Sequence, residues 1–394
     1  MPVKSSKNYL ISAGEFSGDL LAADLVQALR SAAPDFLPFG IVGETMLSVG
    51  VTPLASISEL SVMGILEVAK RIADIRMLEQ RVLAWVDRAN PQFAILVDFP
   101  GFHFRLADQL KLRGIPVYQY VAPKVWAWGK KRVHQLRENF VAVLGILPFE
   151  EEFFLQHGVR YAYVGSPHYD RIRTLKATPE DIGFKTGQKI IGFLPGSRLS
   201  ELKAILPVMI EIRKHITAKE PDTICLIPLA SGLQWDDVAP IVGQEGVVVD
   251  PTKGWKAAGF HWITGQSLEV MKVAQSAVVA SGTATLECAL VGTPMAVVYV
   301  MNEISFALAK RAVDLKWVSL VNLLMNQEVV KEYLQHIDAL VVADDVLELS
   351  ADSAARRQML GHFEQLIGRL EPGATKRAAE FICADIIERR GLYD

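Results

Sequence analysis

Tyr9-Leu10-Ile11-Ser12-Ala13-Gly14-Glu15-Phe16-Ser17-Gly18-Asp19-Leu20-Leu21 is the stretch that decides how this chain is read. Residues 9–13 form the short, nearly continuous apolar run expected of a strand buried in a parallel sheet. Two glycines and small polar residues then turn the chain, after which Leu21, Leu25, Ala28 and Leu29 recur at helical spacing. Strand, tight loop and amphipathic helix in that order open a doubly wound α/β domain. Ligands of such sheets bind beyond the carboxyl ends of the strands, so the loop 14–19 is the first candidate site.

The same unit repeats outward from there. Further buried-type strands are expected over 93–97, 117–121 and 141–147. Residues 170–188 change in character, with charged side chains and Pro179, Gly183 and Gly187, and a fresh strand–loop–helix unit starts at Lys189. More strands are expected over 223–227, 247–249, 277–280 and 295–300, and the last stretch is helical by periodicity. The expected organisation is a first Rossmann-like domain over 1–170, a linker over 171–188 and a second Rossmann-like domain over 189–340. A helical tail over 341–394 would pack back on the first domain or on a partner chain, and the two domains would face a cleft.

The 394 residues exceed the roughly 250–300 that one core accommodates. A chain that is 51% apolar and 22% charged has ample material for two cores. The net charge of −3 argues against a dedicated nucleic-acid binder, whose affinity rests on surplus Lys and Arg. Cys225, Cys288 and Cys383 have no zinc or redox spacing and read as reduced cysteines of a cytosolic protein. No signal-type apolar block opens the sequence, and no apolar run is long enough for a membrane span, so any membrane role is expected to be peripheral.

Four loops that follow expected strands carry candidate chemistry. In the loop 14–19, Glu15 and Asp19 are an acidic pair that a plain turn does not need, Ser17 can cap the helix, and Gly18 permits close approach. Asp98 ends the strand 93–97 beside apolar Phe99 and Phe102, where desolvation would raise its pKa and suit it to general-base work; an Asp that only caps a turn is the even alternative. Gly196-Ser197-Arg198 enters a helix with N–H groups, a hydroxyl and a guanidinium that suit a diphosphate, without a Walker pattern. Ser281-Gly282-Thr283 opens another helix, with Glu287 one turn in to clasp a ribose. Trp126, Trp128, Lys131 and Arg132 form an aromatic and basic stretch able to meet a headgroup, phosphate or sugar. Residues 60–78, including Met63, are unusually apolar with Lys70, Arg71 and Arg76 interspersed; they suit either a core helix or an interfacial one. No metal-ligand spacing is present, so neither a metal nor a cofactor is expected.

Taken in order and spacing, these motifs resemble the lipid-A-disaccharide synthase family. The resemblance runs through the loop 14–19, Leu60-Ser61-Val62-Met63-Gly64, Asp98 with Pro100 and Phe102, Val125-Trp126-Ala127-Trp128 and Leu147-Pro148-Phe149-Glu150. It continues through Leu194-Pro195-Gly196-Ser197-Arg198, residues 281–287, residues 318–324, Glu332 and Gln335. Where the family carries Gly-His-Pro, this chain reads Gly165-Ser166-Pro167, with a histidine following as His168. Phe16 replaces a small residue of the first loop, and Lys124 one that is commonly small or uncharged.

The resemblance implies an inverting, metal-independent GT-B glycosyltransferase of Gram-negative lipid A biosynthesis. The implied donor is UDP-2,3-diacylglucosamine and the acceptor 2,3-diacylglucosamine 1-phosphate (lipid X), giving a β(1→6) disaccharide 1-phosphate and UDP. Asp98, with Glu15 nearby, is then the catalytic candidate. Arg198, Ser197, Gly196, Ser281, Gly282, Thr283, Glu287, Asn322 and Gln335 would hold UDP. Ser17, Gly18, Met63, Trp126, Trp128, Lys131 and Arg132 would meet the acceptor and lipid. The enzyme would act at the cytoplasmic face of the inner membrane as a peripheral protein, and a homodimer is one arrangement the tail permits. Two rivals share the scaffold: a UDP-sugar epimerase, which needs no lipid acceptor, and a non-catalytic nucleotide-sugar or lipid-binding protein.

Overall fold

Tyr9 to Ala13 are buried because β1 (Lys7–Ala13) lies between two parallel neighbours, β2 (Phe36–Val42) and β4 (Ala94–Val97). The computed structural model describes residues 7–60, 68–126, 132–230, 232–243, 248–250, 254–300 and 316–391. Among these, the first sheet also contains β3 (Thr52–Ser56), β5 (Val117–Tyr120), β6 (Ala142–Gly145) and β7 (Tyr161–Tyr163), in the order β3-β2-β1-β4-β5-β6-β7. Every pairing in it is parallel. The chain therefore moves outward from β1 in one direction and later restarts at β4 in the other. That reversal opens a crevice at the carboxyl ends of β1 and β4.

The second sheet repeats the plan. Its strands are β8 (Ile190–Leu194), β9 (Ile224–Leu229), β10 (Val248–Asp250), β11 (Gly254–Ala257), β12 (Phe260–Thr264), β13 (Ser276–Ala280), β14 (Met295–Tyr299) and β15 (Glu332–Leu334). The order is β10-β11-β12-β9-β8-β13-β14-β15, with β10 and β11 added antiparallel at one edge. Here the reversal falls between β8 and β13.

Each sheet has its own core. Leu10, Leu96, Leu106, Val143 and Phe154 belong to the first, and Phe193, Ile205, Ile227, Trp262 and Val278 to the second. Each fully buried side chain of this size contributes about 1.5–3 kcal/mol relative to exposure. Contacts divide the chain into Met1–Pro167 with Glu371–Asp394, and His168–Leu370. Residues of the expected linker pack on the second sheet, where Ile182 and Phe184 are buried with Ile190, Leu226 and Val270.

The expected tail is shared between the units. The helices Ala339–Ser350 and Ala354–Ile367 stay with the second: Val342, Ala343 and Val346 enter its core, and Ser276 Oγ donates to Val346 O at 2.9 Å. The helix Ala374–Gly391 packs on the first, where Tyr118 OH donates to Asp385 Oδ2 at 2.5 Å. Arg160 and Arg389 complete the ring of donors around that carboxylate. Burial alone would raise the Asp385 pKa, but the donors from Tyr118, Arg389 and Arg160 outweigh it and hold the group below its ordinary value. Among the described residues no helix is long and apolar enough to cross a membrane.

Candidate functional site

At the carboxyl ends of β1 and β4, three non-glycine residues hold left-handed backbone: Asp98 (φ 50°), Phe99 (φ 51°) and, after β5, Val121 (φ 66°). Such conformations cost energy and persist only where surroundings impose them. Two such surroundings are evident. Gly14 lies directly beneath the Phe99 ring, so that a Cβ at this position would fall 2.1 Å from Phe99 Cγ. Behind the turn, His103 Nδ1 is 2.7 Å from Asp98 O and its Nε2 is 2.9 Å from Ser12 Oγ. A carbonyl only accepts, so Nδ1 carries the proton, and the Ser12 hydroxyl donates to Nε2. Burial pushes the His103 pKa down to about 4, which keeps this single neutral tautomer at ordinary pH.

The acidic pair of the first loop separates into two roles. Asp19 is fully buried and accepts from Gly43 N (2.7 Å), Thr45 N (2.8 Å) and Met46 N (3.3 Å). It satisfies the orphan N–H groups at the start of the helix Glu44–Ser48 and is a structural residue. Glu15 is half-buried at the N-cap of the helix Phe16–Ala32, with extended backbone. Ser17 is exposed, Gly18 is buried against Ala13 and Val97, and Phe16 is 42% exposed beside them.

Trp126 turns into the first unit. Its Nε1 donates to Glu150 Oε1 at 2.9 Å and its ring meets Phe149 edge-on at 5.0 Å. Glu150 is 1% exposed and also accepts from Tyr161 OH at 3.1 Å. Burial pushes its pKa up to about 7 in spite of those donors. The indole nitrogen expected for a headgroup or sugar is thus already engaged. Arg132 is exposed at the N-cap of the helix Val133–Asn139. Met63, Trp128 and Lys131 lie outside the described residues. Of the apolar stretch 60–78, Leu60 and Leu78 are buried in the first core while Met77 is 62% exposed.

At the carboxyl end of β8, Gly196 (φ 102°) begins the turn into the helix Leu199–Lys219. Glu201 folds back on it: Oε2 accepts from Ser197 N at 3.2 Å and Arg198 N at 3.4 Å, while Oε1 meets Arg198 Nη1 at 3.2 Å. The backbone N–H groups this turn was expected to offer a diphosphate are therefore already accepted by a carboxylate. What the turn presents is the Ser197 hydroxyl and the Arg198 guanidinium, whose side chain is 55% exposed. An exposed ion pair of this kind contributes under about 1 kcal/mol.

Beside it, after β13, Ser281 Oγ donates to Val318 O at 2.8 Å, Gly282 has open space around it, and Thr283 begins the helix Thr283–Val291. Thr285 Oγ1 donates to Gly282 O (2.8 Å) and accepts from Leu320 N (3.2 Å), tying the two loops together. One turn into that helix, Glu287 Oε1 is 3.1 Å from His168 Nδ1.

Asn322 departs from its expected role. It is fully buried; its Nδ2 donates to Val330 O and Glu332 Oε1, and its Oδ1 accepts from Val329 N and Val330 N. Every hydrogen-bonding valence of the amide is used, so Asn322 holds the loop rather than a ligand. Glu332 completes this brace by accepting from Val318 N and Ser319 N, each at 2.9 Å. Gln335, half-buried and left-handed (φ 61°), follows β15 with its N–H on Tyr299 O. His103, Glu150 and Glu201 are residues that sequence reasoning left without a site role, although Glu150 stands inside a motif already singled out.

Two Rossmann-like sheets, each with polar loops at its switch point, define the GT-B-like class to which sugar transferases and nucleotide-sugar epimerases belong. Solved structures of both kinds share the fold: the UDP-GlcNAc 2-epimerase from Neisseria meningitidis (TM-score 0.57, 12% identity, 97% of this chain and 100% of that one) and the glycosyltransferase SnogD from Streptomyces nogalater (TM-score 0.52, 14% identity, 97% and 99%). The sequence goes further. A family model described as LpxB, lipid-A-disaccharide synthetase, matches residues 9–382. The lipid-A-disaccharide synthase of Myxococcus xanthus is 38% identical over 378 residues, covering 95% of this chain and 96% of that one. That of Nitrosococcus oceani is 35% identical over 379 residues, covering 95% of each. The chain belongs to the lipid-A-disaccharide synthase family, a family of glycosyltransferases.

Proposed function

We propose that this chain transfers 2,3-diacylglucosamine from UDP-2,3-diacylglucosamine to the 6-hydroxyl of 2,3-diacylglucosamine 1-phosphate. The observation that carries the proposal is the half-buried Asp98, held in a left-handed turn at the β1/β4 switch point of a chain whose family is lipid-A-disaccharide synthase. Asp98 takes the proton of the acceptor 6-hydroxyl. The freed oxygen forms a bond to the anomeric carbon from the face opposite UDP, while the bond from that carbon to the diphosphate oxygen breaks. UDP leaves with the electron pair, the configuration inverts, and Asp98 later gives its proton to solvent. Glu15 stands on the neighbouring loop as the second acid of the site.

In the second unit, Arg198, Ser197, Gly196, Gly282 and Thr283 meet the diphosphate and Glu287 the ribose, while Ser281, whose hydroxyl and N–H are engaged by Val318 O and Val298 O, holds the loop. The helix start at Thr283 and the guanidinium together offset the developing charge, so the proposal needs no metal. Gln335 contributes at the edge of the same loops, and Asn322 acts on them indirectly. Phe16, Ser17, Gly18 and Arg132 belong to the acceptor side, and the exposed Phe16 and Met77 support a peripheral association with a lipid surface.

Purified protein incubated with both acylated substrates is expected to release UDP and the disaccharide 1-phosphate in equal amounts. Asp98→Asn is expected to slow release by roughly 100- to 10,000-fold, leaving a measurable residual rate, while UDP titration is unchanged; full turnover in that variant removes Asp98 as the base. Conversion of UDP-N-acetylglucosamine alone would instead identify an epimerase.

A further inference from the structure

Behind Asp98 lies a relay that the transfer chemistry does not itself require. Ser12 is on β1, His103 is one turn into the helix Pro100–Leu112, and both are fully buried. The relay runs from the Ser12 hydroxyl to His103 Nε2 (2.9 Å) and from His103 Nδ1–H to the Asp98 carbonyl (2.7 Å). Gln119 Nε2, at 3.4 Å from the same carbonyl, is a far weaker second donor. The two short bonds tie β1, β4 and the following helix to the one peptide whose rotation aims the Asp98 side chain. Phe99, next in sequence, is seated on Gly14, where no Cβ could fit.

We propose that His103, its tautomer fixed by Ser12, is a positioning residue for Asp98: the Nδ1–H bond to the Asp98 carbonyl holds the left-handed turn that presents the carboxylate. This inference rests on Asp98 as the base. A donor at the Nδ1 position is the required feature, and an asparagine side chain supplies one in nearly the same place. The ring itself never touches substrate, so its loss acts on kcat through Asp98 and leaves the second unit's nucleotide binding alone. Misplacement of a catalytic group by about 1 Å can cost on the order of 100-fold in rate.

The test uses the full-length protein with both acylated substrates. His103→Leu is expected to lower kcat about 100-fold, His103→Asn less than about 10-fold, and Ser12→Ala about fivefold, all with unchanged UDP Kd. On an Asp98→Asn background, His103→Leu is expected to lower the residual rate no further, because both changes remove the same function. If His103→Leu folds poorly, the contrast of His103→Asn and Ser12→Ala with the wild type, and each of them combined with Asp98→Asn, carries the test. A kcat within twofold of wild type in His103→Leu overturns the inference. So does a loss in His103→Asn as deep as in His103→Leu, or full additivity with Asp98→Asn. Turnover cut to a residual rate in Asp98→Asn beside normal turnover in His103→Leu sinks the positioning role alone; normal turnover in Asp98→Asn sinks the base itself.

Discussion

Nδ1 of His168 stands 3.1 Å from Oε1 of Glu287, at the mouth of the loop that follows β13. A carboxylate only accepts, so the ring donates from Nδ1 and leaves Oε2 of Glu287 to receive other donors. The histidine side chain is 9% exposed and the glutamate 20%, so the acid faces outward and its brace does not. If Glu287 accepts from a ribose as proposed, Glu287→Ala weakens UDP binding by about 10- to 30-fold, and 2′-deoxy-UDP then binds as well as UDP. His168→Ala weakens it by only about threefold, since the ring orients the acid without touching the ligand. Calorimetric titration of both nucleotides measures this, and unchanged UDP affinity in Glu287→Ala excludes the ribose role.

Glu201 and Arg198 are expected to act in opposite directions. Arg198→Ala removes the guanidinium and weakens UDP binding about tenfold. Glu201→Ala frees the N–H groups of Ser197 and Arg198 and removes a negative charge, so UDP binds more tightly, while loss of the cap costs the helix Leu199–Lys219 about 1 kcal/mol. Titration and thermal unfolding of the same two variants read both effects; weaker UDP binding in Glu201→Ala contradicts the account.

Asn322 is predicted to matter through folding. Asn322→Ala strands the N–H groups of Val329 and Val330 and the carbonyl of Val330, and should lower stability by about 2–4 kcal/mol. Asn322→Asp is no rescue, because an ionised Asp has no donor for Val330 O and faces the Glu332 carboxylate. Urea unfolding of both variants tests this; a loss below about 1 kcal/mol contradicts it.

Two buried groups of the first unit respond to pH with opposite sign. His103 is neutral when folded, with a pKa of about 4 against an ordinary 6.5. Between those values the unfolded chain binds the extra proton, so this contribution is complete above pH 6.5 and lost as pH falls toward 4. Glu150 is the reverse: its pKa of about 7 against 4.5 means the folded state keeps the proton, and that contribution is lost as pH rises from 4.5 to 7. Each is worth roughly 3 kcal/mol across its window, and they nearly cancel where the windows overlap. His103→Asn should unmask Glu150 and make stability fall with rising pH, whereas Glu150→Gln should make it climb. Hydrogen exchange of the β1 amides at pH 5 and 6.5 measures both slopes.

The strands legible in the sequence were those buried on both faces, such as β1 and β4, whose apolar runs are uninterrupted. β2 was not, because Pro38 and the exposed Leu37 break its run although it pairs with β1 along most of its length. β3 is an edge strand with one buried residue and carries almost no apolar signal. Asp98 stood out as a candidate because an acid at a strand's end is a local pattern. The roles of His103, Asn322 and Trp126 were not. His103 acts through Ser12, 91 residues away, Asn322 through the backbone of Val329 and Val330 that returns against it just ahead of β15, and Trp126 through a carboxylate 24 residues on. The sequence of a loop shows which groups it carries, whereas the fold decides which of them remain for a ligand.

The return of the helix Ala374–Gly391 to the first sheet governs how the protein can be made on the ribosome. Tyr118 and Arg160 are synthesised early, yet their shared acceptor, Asp385, is added only after the whole second unit. The amino-terminal half therefore leaves the exit tunnel without the element that covers it, and must wait, incompletely closed, while the whole second unit is translated. Premature termination between Leu370 and Asp385 would leave a finished second unit attached to an unfinished first one, a ready substrate for chaperones and proteases.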